Sequence, residues 1–345
     1  MATVKQLQRR KTLQAVAGLV SAAAVGTVAG RSSSPPSAPT TAALDAVPAS
    51  ADALVYADVD VLRRDDGMKT LTTAALQQRA RYHSVESAGE RPRNADALLT
   101  DVETELDTDP KDVHRLTAFG DVGGSGDELF GGYGGVVLGA ELNAEAVKAG
   151  LENLDDVAFD RVSESGAVVY EPESETGPWV GSLGSNRAVV GTETAVYDAI
   201  DVTNDGAAPI DGGLRRAYAD SRDAPVRFAS RLPSPSENDA VPERVGETGR
   251  TMALTPLDHV STLGGAVYRD GDVRGLETTL DVTDEAAARD VASVVRDLRE
   301  RAVSKLRDDA LADLVGDIGV ERDGATVTTS VTRTTGELES LVDRD

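Results

Sequence analysis

Chemistry rests on a short list of side chains, and this sequence holds few of them at spacings that work together. It has three histidines, His83, His114 and His259. They lie far apart, and none belongs to a pair at the helical spacing that turns two imidazoles toward one metal. There is no cysteine, which removes disulfides, thiolate metal sites and a thiol nucleophile. The Gly-x-Ser-x-Gly elbow of many serine hydrolases is also missing. A Ser–His–Asp set would therefore have to be assembled by the fold. Two groups of carboxylates have the oxygen chemistry for a hard cation such as calcium or magnesium: Asp58 with Asp60, and Asp107, Asp109 and Asp112. Neither has the glycine and terminal glutamate of an EF-hand loop. In a chain with 59 Asp and Glu residues, solvated surface is the simpler account of such clusters.

The densest unusual stretch runs from Gly120 to Tyr133 (GDVGGSGDELFGGY). Its last seven residues, Asp127 to Tyr133, resemble a segment of asparagine synthetases. The Ser-Gly-Gly-x-Asp-Ser pyrophosphate loop those enzymes need is absent from this chain. The same glycines are similar to the calcium-binding nonapeptide Gly-Gly-x-Gly-x-Asp, but the aspartate falls one place early and no second repeat follows. The reading is a glycine-rich loop leading into a strand. No cofactor is expected.

Composition narrows the partners. Of 345 residues 40% are hydrophobic, but aromatic residues are only one Trp, seven Tyr and four Phe. Ala, Val and Leu must build the core, and stacking sites for bases or sugars are scarce. Residues 1–31 hold five basic residues and no acid; the remaining 30 bases stand against 59 acids, a formal charge of −29 for residues 32–345. Such a field repels phosphate backbones and anionic lipid headgroups, so nucleic acid is excluded as a partner. Only six of the 35 basic residues are lysines. Acid excess with few lysines is the composition of proteins adapted to molar salt, where the screening length shrinks to about 3 Å and hydrated salt cations cover the surface.

The N-terminus reads as an address. A basic polar stretch over residues 1–14 precedes an apolar run of small residues, Ala15 to Ala29, and then a Ser/Pro/Thr linker over residues 31–42. Within it, Gln8-Arg9-Arg10-Lys11-Thr12-Leu13-Gln14 resembles the twin-arginine export motif through Arg9, Arg10 and Leu13, with departures at Gln8, Thr12 and Gln14. Thr27 and Ala29 offer the small residues a signal peptidase reads, so cleavage is expected at Ala29. Membrane contact is expected only if the segment stays uncleaved. Val28-Ala29-Gly30-Arg31 resembles a lipobox, with Arg31 standing where the acylated cysteine would be.

Positioning these residues falls to elements whose patterns differ along the chain. Residues 1–30 are read as the export signal, 31–42 as linker, 43–232 as a first α+β half, 233–250 as an exposed loop and 251–345 as a second half. Alternation over Ala53–Asp60 predicts a strand with Asp58 and Asp60 on one face. Tyr133–Leu142 predicts a strand, followed by a helix capped at Asn143 and a hairpin turning at Glu164-Ser165-Gly166. Later, Asp272–Val282 predicts a strand, Thr283 a cap, and Val291, Val294, Val295, Leu298, Ala302 and Leu306 a buried helical stripe. A hairpin around Asp323-Gly324 and a short helix over Glu337–Val342 follow. The repeated order suggests an internally duplicated strand–helix–hairpin unit. Mixed helices and hairpins predict an α+β fold with largely antiparallel sheets.

This arrangement, opening on Val47-Pro48-Ala49 before the Val55-Tyr56-Ala57-Asp58-Val59-Asp60 run, resembles uncharacterised exported, lipoprotein-like proteins of halophilic archaea. The resemblance implies an exported protein, extracellular or on the outer face of the cytoplasmic membrane, with an envelope or extracellular partner. It supplies no catalytic residue. The expectation is a binding or structural role; the alternative is an extracellular hydrolase whose site gathers His114 or His259 with a serine and an aspartate.

Overall fold

The computed structural model describes residues 44–70 and 73, 113–121, 132–140, isolated positions from 144 to 152, and 158–342 apart from 165, 175–176, 185, 233, 235–242, 246–250 and 307–308. The fold is α+β with largely antiparallel sheet. The chain divides into two compact units, Thr40–Asp211 and Gly212–Asp345.

In the first unit the described elements are β1 (Ala53–Asp58), α1 (Val59–Arg64), β2 (Val113–Gly120), β3 (Gly134–Ala140), β4 (Phe159–Glu164), β5 (Ala167–Pro172), β6 (Trp179–Ser182), β7 (Arg187–Gly191) and α2 (Glu193–Thr203). The strands lie in the order β1-β2-β3-β7-β6-β5-β4. Runs such as Gly-Val-Val-Leu in β3 and Ala-Val-Val in β7 are apolar at consecutive positions because both faces of the sheet are covered. Val136, Leu138, Val180, Ala188 and Val190 pack with Ala144 on one face. On the other, α2 buries Ala195, Val196, Ala199 and Ile200. Contact there is close: a Cβ on Gly181 would meet Val196, Ile200 and Val189.

The second unit contains α3 (Gly212–Asp220), β8 (Val226–Arg231), the short pair β9 (Arg244–Val245) and β10 (Met252–Ala253), a 3-10 turn (Thr255–His259), β11 (Val260–Asp270) and β12 (Val273–Val282). After these come α4 (Glu285–Lys305), α5 (Asp309–Gly316), β13 (Gly319–Asp323), β14 (Thr326–Thr334) and α6 (Thr335–Val342). The main ladder runs β8-β11-β12-β14-β13. One face is closed by α4, whose Ala287, Ala288, Val291 and Ala292 pack on Val260, Leu280, Val282 and Val327. The opposite face receives α3, close enough that a Cβ on Gly264 would run into the Ala217 carbonyl.

The expected hairpins form where the turn residues predicted them, with Gly166 at φ 80° and Gly324 at φ 55°. Other expectations are corrected. Asp58 and Asp60 do not share a strand face: the strand ends at Asp58, whose side chain accepts the Val61 N–H at 2.9 Å and starts α1. Asp284, not Thr283, caps α4, taking the N–H groups of Ala286 and Ala287. Strand β8, just before the loop over 233–250, pairs with β11 beyond it. Each unit opens on three neighbouring antiparallel strands and continues in a meander whose last strand returns beside the third: β7 to β3 and β14 to β12. The first unit carries two more strands in that meander, so the β4–β5 hairpin lies farther out than the β13–β14 hairpin it resembles in sequence.

Candidate functional site

Three polar side chains distant in sequence converge in the first unit. Ser50 stands exposed in the turn before β1, held by the Ala51 N–H bonded to the Pro48 carbonyl at 3.1 Å. Tyr133 precedes β3, next to Gly132, whose φ of 139° is open to glycine and strained for other residues. Asp198 projects from the middle of α2. Ser50 Oγ lies 2.6 Å from Tyr133 Oη and donates to Asp198 Oδ2 at 3.0 Å, and Tyr133 Oη donates to the same oxygen at 2.9 Å. Burial raises the Tyr133 phenol well above its ordinary range; the Ser50 hydrogen bond opposes this, and Asp198 adds to it. Tyr133 is therefore a donor and not a base. No imidazole or amine joins the set among the described residues, and its hydrogen bonds clasp three segments of the chain.

A second constellation centres on Asp60. His114 Nδ1 lies 2.9 Å from Asp60 Oδ2, and Arg63 Nη2 donates to Asp60 Oδ1 at 2.9 Å and to the Val113 carbonyl at 2.9 Å. Arg64 is 3.8 Å from the same carboxylate. Asp60 Oδ2 thus ties α1 to β2 through His114, Oδ1 holds the Arg63 that reaches the Val113 carbonyl, and with Asp58 capping the helix the expected cation pair is engaged elsewhere. Among the described residues no three His, Asp or Glu groups are placed to hold a metal ion.

The remaining histidine in view, His259, is exposed at the end of the 3-10 turn. Its neighbour Asp258 accepts a hydrogen bond from Ser234. Among the described residues no serine or threonine hydroxyl bonds either His114 or His259, so the hydrolase constellation is not assembled there. The export residues Arg9, Arg10, Leu13 and Ala29, together with His83, the Asp107, Asp109 and Asp112 set and the Asp127–Gly131 part of the glycine loop, lie outside the described residues. The Ser50, Tyr133 and Asp198 cluster went unnoticed in the sequence because its members are 83 and 65 positions apart along the chain, with no local pattern to join them.

No family model matches the chain, and no curated protein does. Among solved structures it is similar to crystal form III of TP0453, at 8% identity and a TM-score of 0.46, over 90% of this chain and 99% of that one. Crystal form IV gives 8% and 0.43, over 87% and 95%. Values this low carry no statement about activity.

Proposed function

We propose that this chain is an exported protein of a salt-adapted organism that binds or organises a component of the envelope or the extracellular medium, with no catalytic role. The observation that carries the reading is that His114, paired with an Asp60 carboxylate that Arg63 also holds, meets no serine or threonine hydroxyl among the described residues, and the group fastens a helix to a strand. The Ser50 clasp acts in the same sense, joining a turn, the segment that enters β3 and a helix. The arginine pair near the N-terminus, the apolar run behind it and the −29 charge beyond it support export into molar salt. The shared strand order supports descent of the two units from one duplicated module.

Fractionation of the native cell tests the reading. A processed chain in the envelope or medium, co-purifying with a partner in molar salt, is the expected outcome. An unprocessed chain soluble in cytoplasm would remove the export argument. Hydrolysis of an ester, peptide or glycoside that His114→Ala abolishes without changing the melting temperature would replace the binding role with catalysis.

A further inference from the structure

We infer that Trp179 and Tyr197 form a binding platform for a neutral oligosaccharide on the first unit. The inference rests on the binding role above and names its ligand class. Aromatic side chains are scarce in this chain, and its one tryptophan opens β6 beside a tyrosine of α2, with ring centroids 5.6 Å apart and planes tilted by 58°. Both rings are only half-buried. In a protein that packs mainly with Ala, Val and Leu, the bulkiest apolar groups stay partly in water at one place.

The backbone keeps that place open. Trp179 pairs across the ladder with Gly191, which carries no side chain to lie against the indole. A Cβ there would collide with Gly134, so the position stays glycine for packing reasons and leaves the ring uncovered on the β7 side. Polar groups flank the corner. Glu193 and Thr194, one turn before Tyr197 on α2, are exposed, and Asp201, one turn after it, is half-buried. The indole N–H makes no hydrogen bond among the described residues.

An apolar corner rimmed by carboxylates and a hydroxyl matches a sugar ring, whose C–H face stacks on an aromatic while its hydroxyls donate to carboxylates. The carboxylates of Glu193 and Asp201, near enough to act even in molar salt, select within that class. Phosphorylated, sulfated and uronic-acid ligands meet a repulsive field, and neutral saccharides do not.

The single tryptophan makes the test specific, because any intrinsic indole emission comes from this site. The full chain in molar potassium chloride is titrated to millimolar concentrations with cellohexaose, maltohexaose and the hexamer of N-acetylglucosamine. A saturable change in emission with at least one of them, and less quenching of Trp179 by acrylamide when it is bound, is expected. Tyr197→Ala should weaken that binding by about tenfold. Glu193→Gln, at an exposed position, should weaken it several-fold with an unchanged circular dichroism spectrum, which covers the case of a Tyr197 variant that does not fold. No emission change with any of the three sugars overturns the platform, as does an equal response from the folded Glu193 and Tyr197 variants. Cleavage of the added sugar would instead overturn the non-catalytic reading and leave the platform standing.

Discussion

At the scale of single residues, arginine does the work that the scarcity of lysine hides. Arg63 donates to the Val113 carbonyl, Arg274 to Gly271 and Val273, Arg296 to Val320, Arg299 to Ile318 and Arg333 to Thr332 and Asp313. A planar fork of five donors reaches backbone oxygens in a way that a compact, strongly hydrated ammonium does not. Arg227 is the extreme case at 2% exposure. It bonds Ser221 Oγ and the carbonyls of Tyr218 and Ser221, and lies 4.3 Å over the Tyr218 ring. No carboxylate pairs with it among the described residues. The carbonyl end of α3 and the ring face balance its charge instead. Arg227→Lys keeps the charge but loses most of this fork, and should lower stability by roughly 2–3 kcal/mol, as expected for hydrogen bonds to a buried charge. Chemical denaturation in molar salt measures this; an unchanged midpoint would sink the account.

At the scale of elements, the helix ends give the fold its acid sensitivity. Asp284 caps α4, and the Ala287 and then the Ala286 N–H hold its carboxyl below the ordinary value. Glu285 is lowered first by Arg322 on the β13–β14 hairpin and then by Arg289. At the start of α6, Glu337 accepts the Thr334 N–H at 2.7 Å and its hydroxyl at 2.8 Å, and is lowered too. A carboxyl held lower in the folded than in the unfolded chain stabilises the fold above its ordinary value, 3.8 for Asp284 and 4.5 for the two glutamates. That contribution disappears as pH falls through the folded value. Asp284→Ala should therefore lower the melting temperature at neutral pH, with the gap to the parent protein narrowing below about pH 4 and closing in stronger acid. Thermal melts across that range check it, and a gap that persists in strong acid would show that the cap does not act through its charge. These ends were half legible: the motif Thr283-Asp284 announces a helix start, but the two residues are both competent caps, and only backbone geometry selects Asp284.

At the scale of the whole molecule, charge governs the solvent the protein requires. With −29 on residues 32–345, carboxylates in ~0.01 M salt interact over roughly 30 Å, whereas in molar salt only near neighbours do. Folding brings those charges together, so low salt opposes it, against a net stability of only about 5–15 kcal/mol. Circular dichroism between about 3 M and 0.05 M potassium chloride should show loss of native signal and a falling melting temperature toward the dilute end. A constant melting temperature would leave the acidity without this explanation.

What the chain determined without its partners in space was local: the α+β class, the apolar face of α4 at Val291 and Val294, and the turns at Gly166 and Gly324. Each follows from periodicity or from a residue's own conformational range, which neighbours in sequence suffice to express. The tertiary structure alone decided the rest. Strands β2 and β11 and helices α3 and α5 had no decisive pattern of their own. Strand β2 carries the polar residues His114, Arg115 and Thr117, and β11 carries two glycines that only the approach of α3 and the Phe228 ring explains. Likewise Asp60 gained His114 from 54 positions away and Ser50 gained Asp198 from 148. Contacts of that range depend on which strands become neighbours, a choice settled by the packing of the whole unit and not by any one segment.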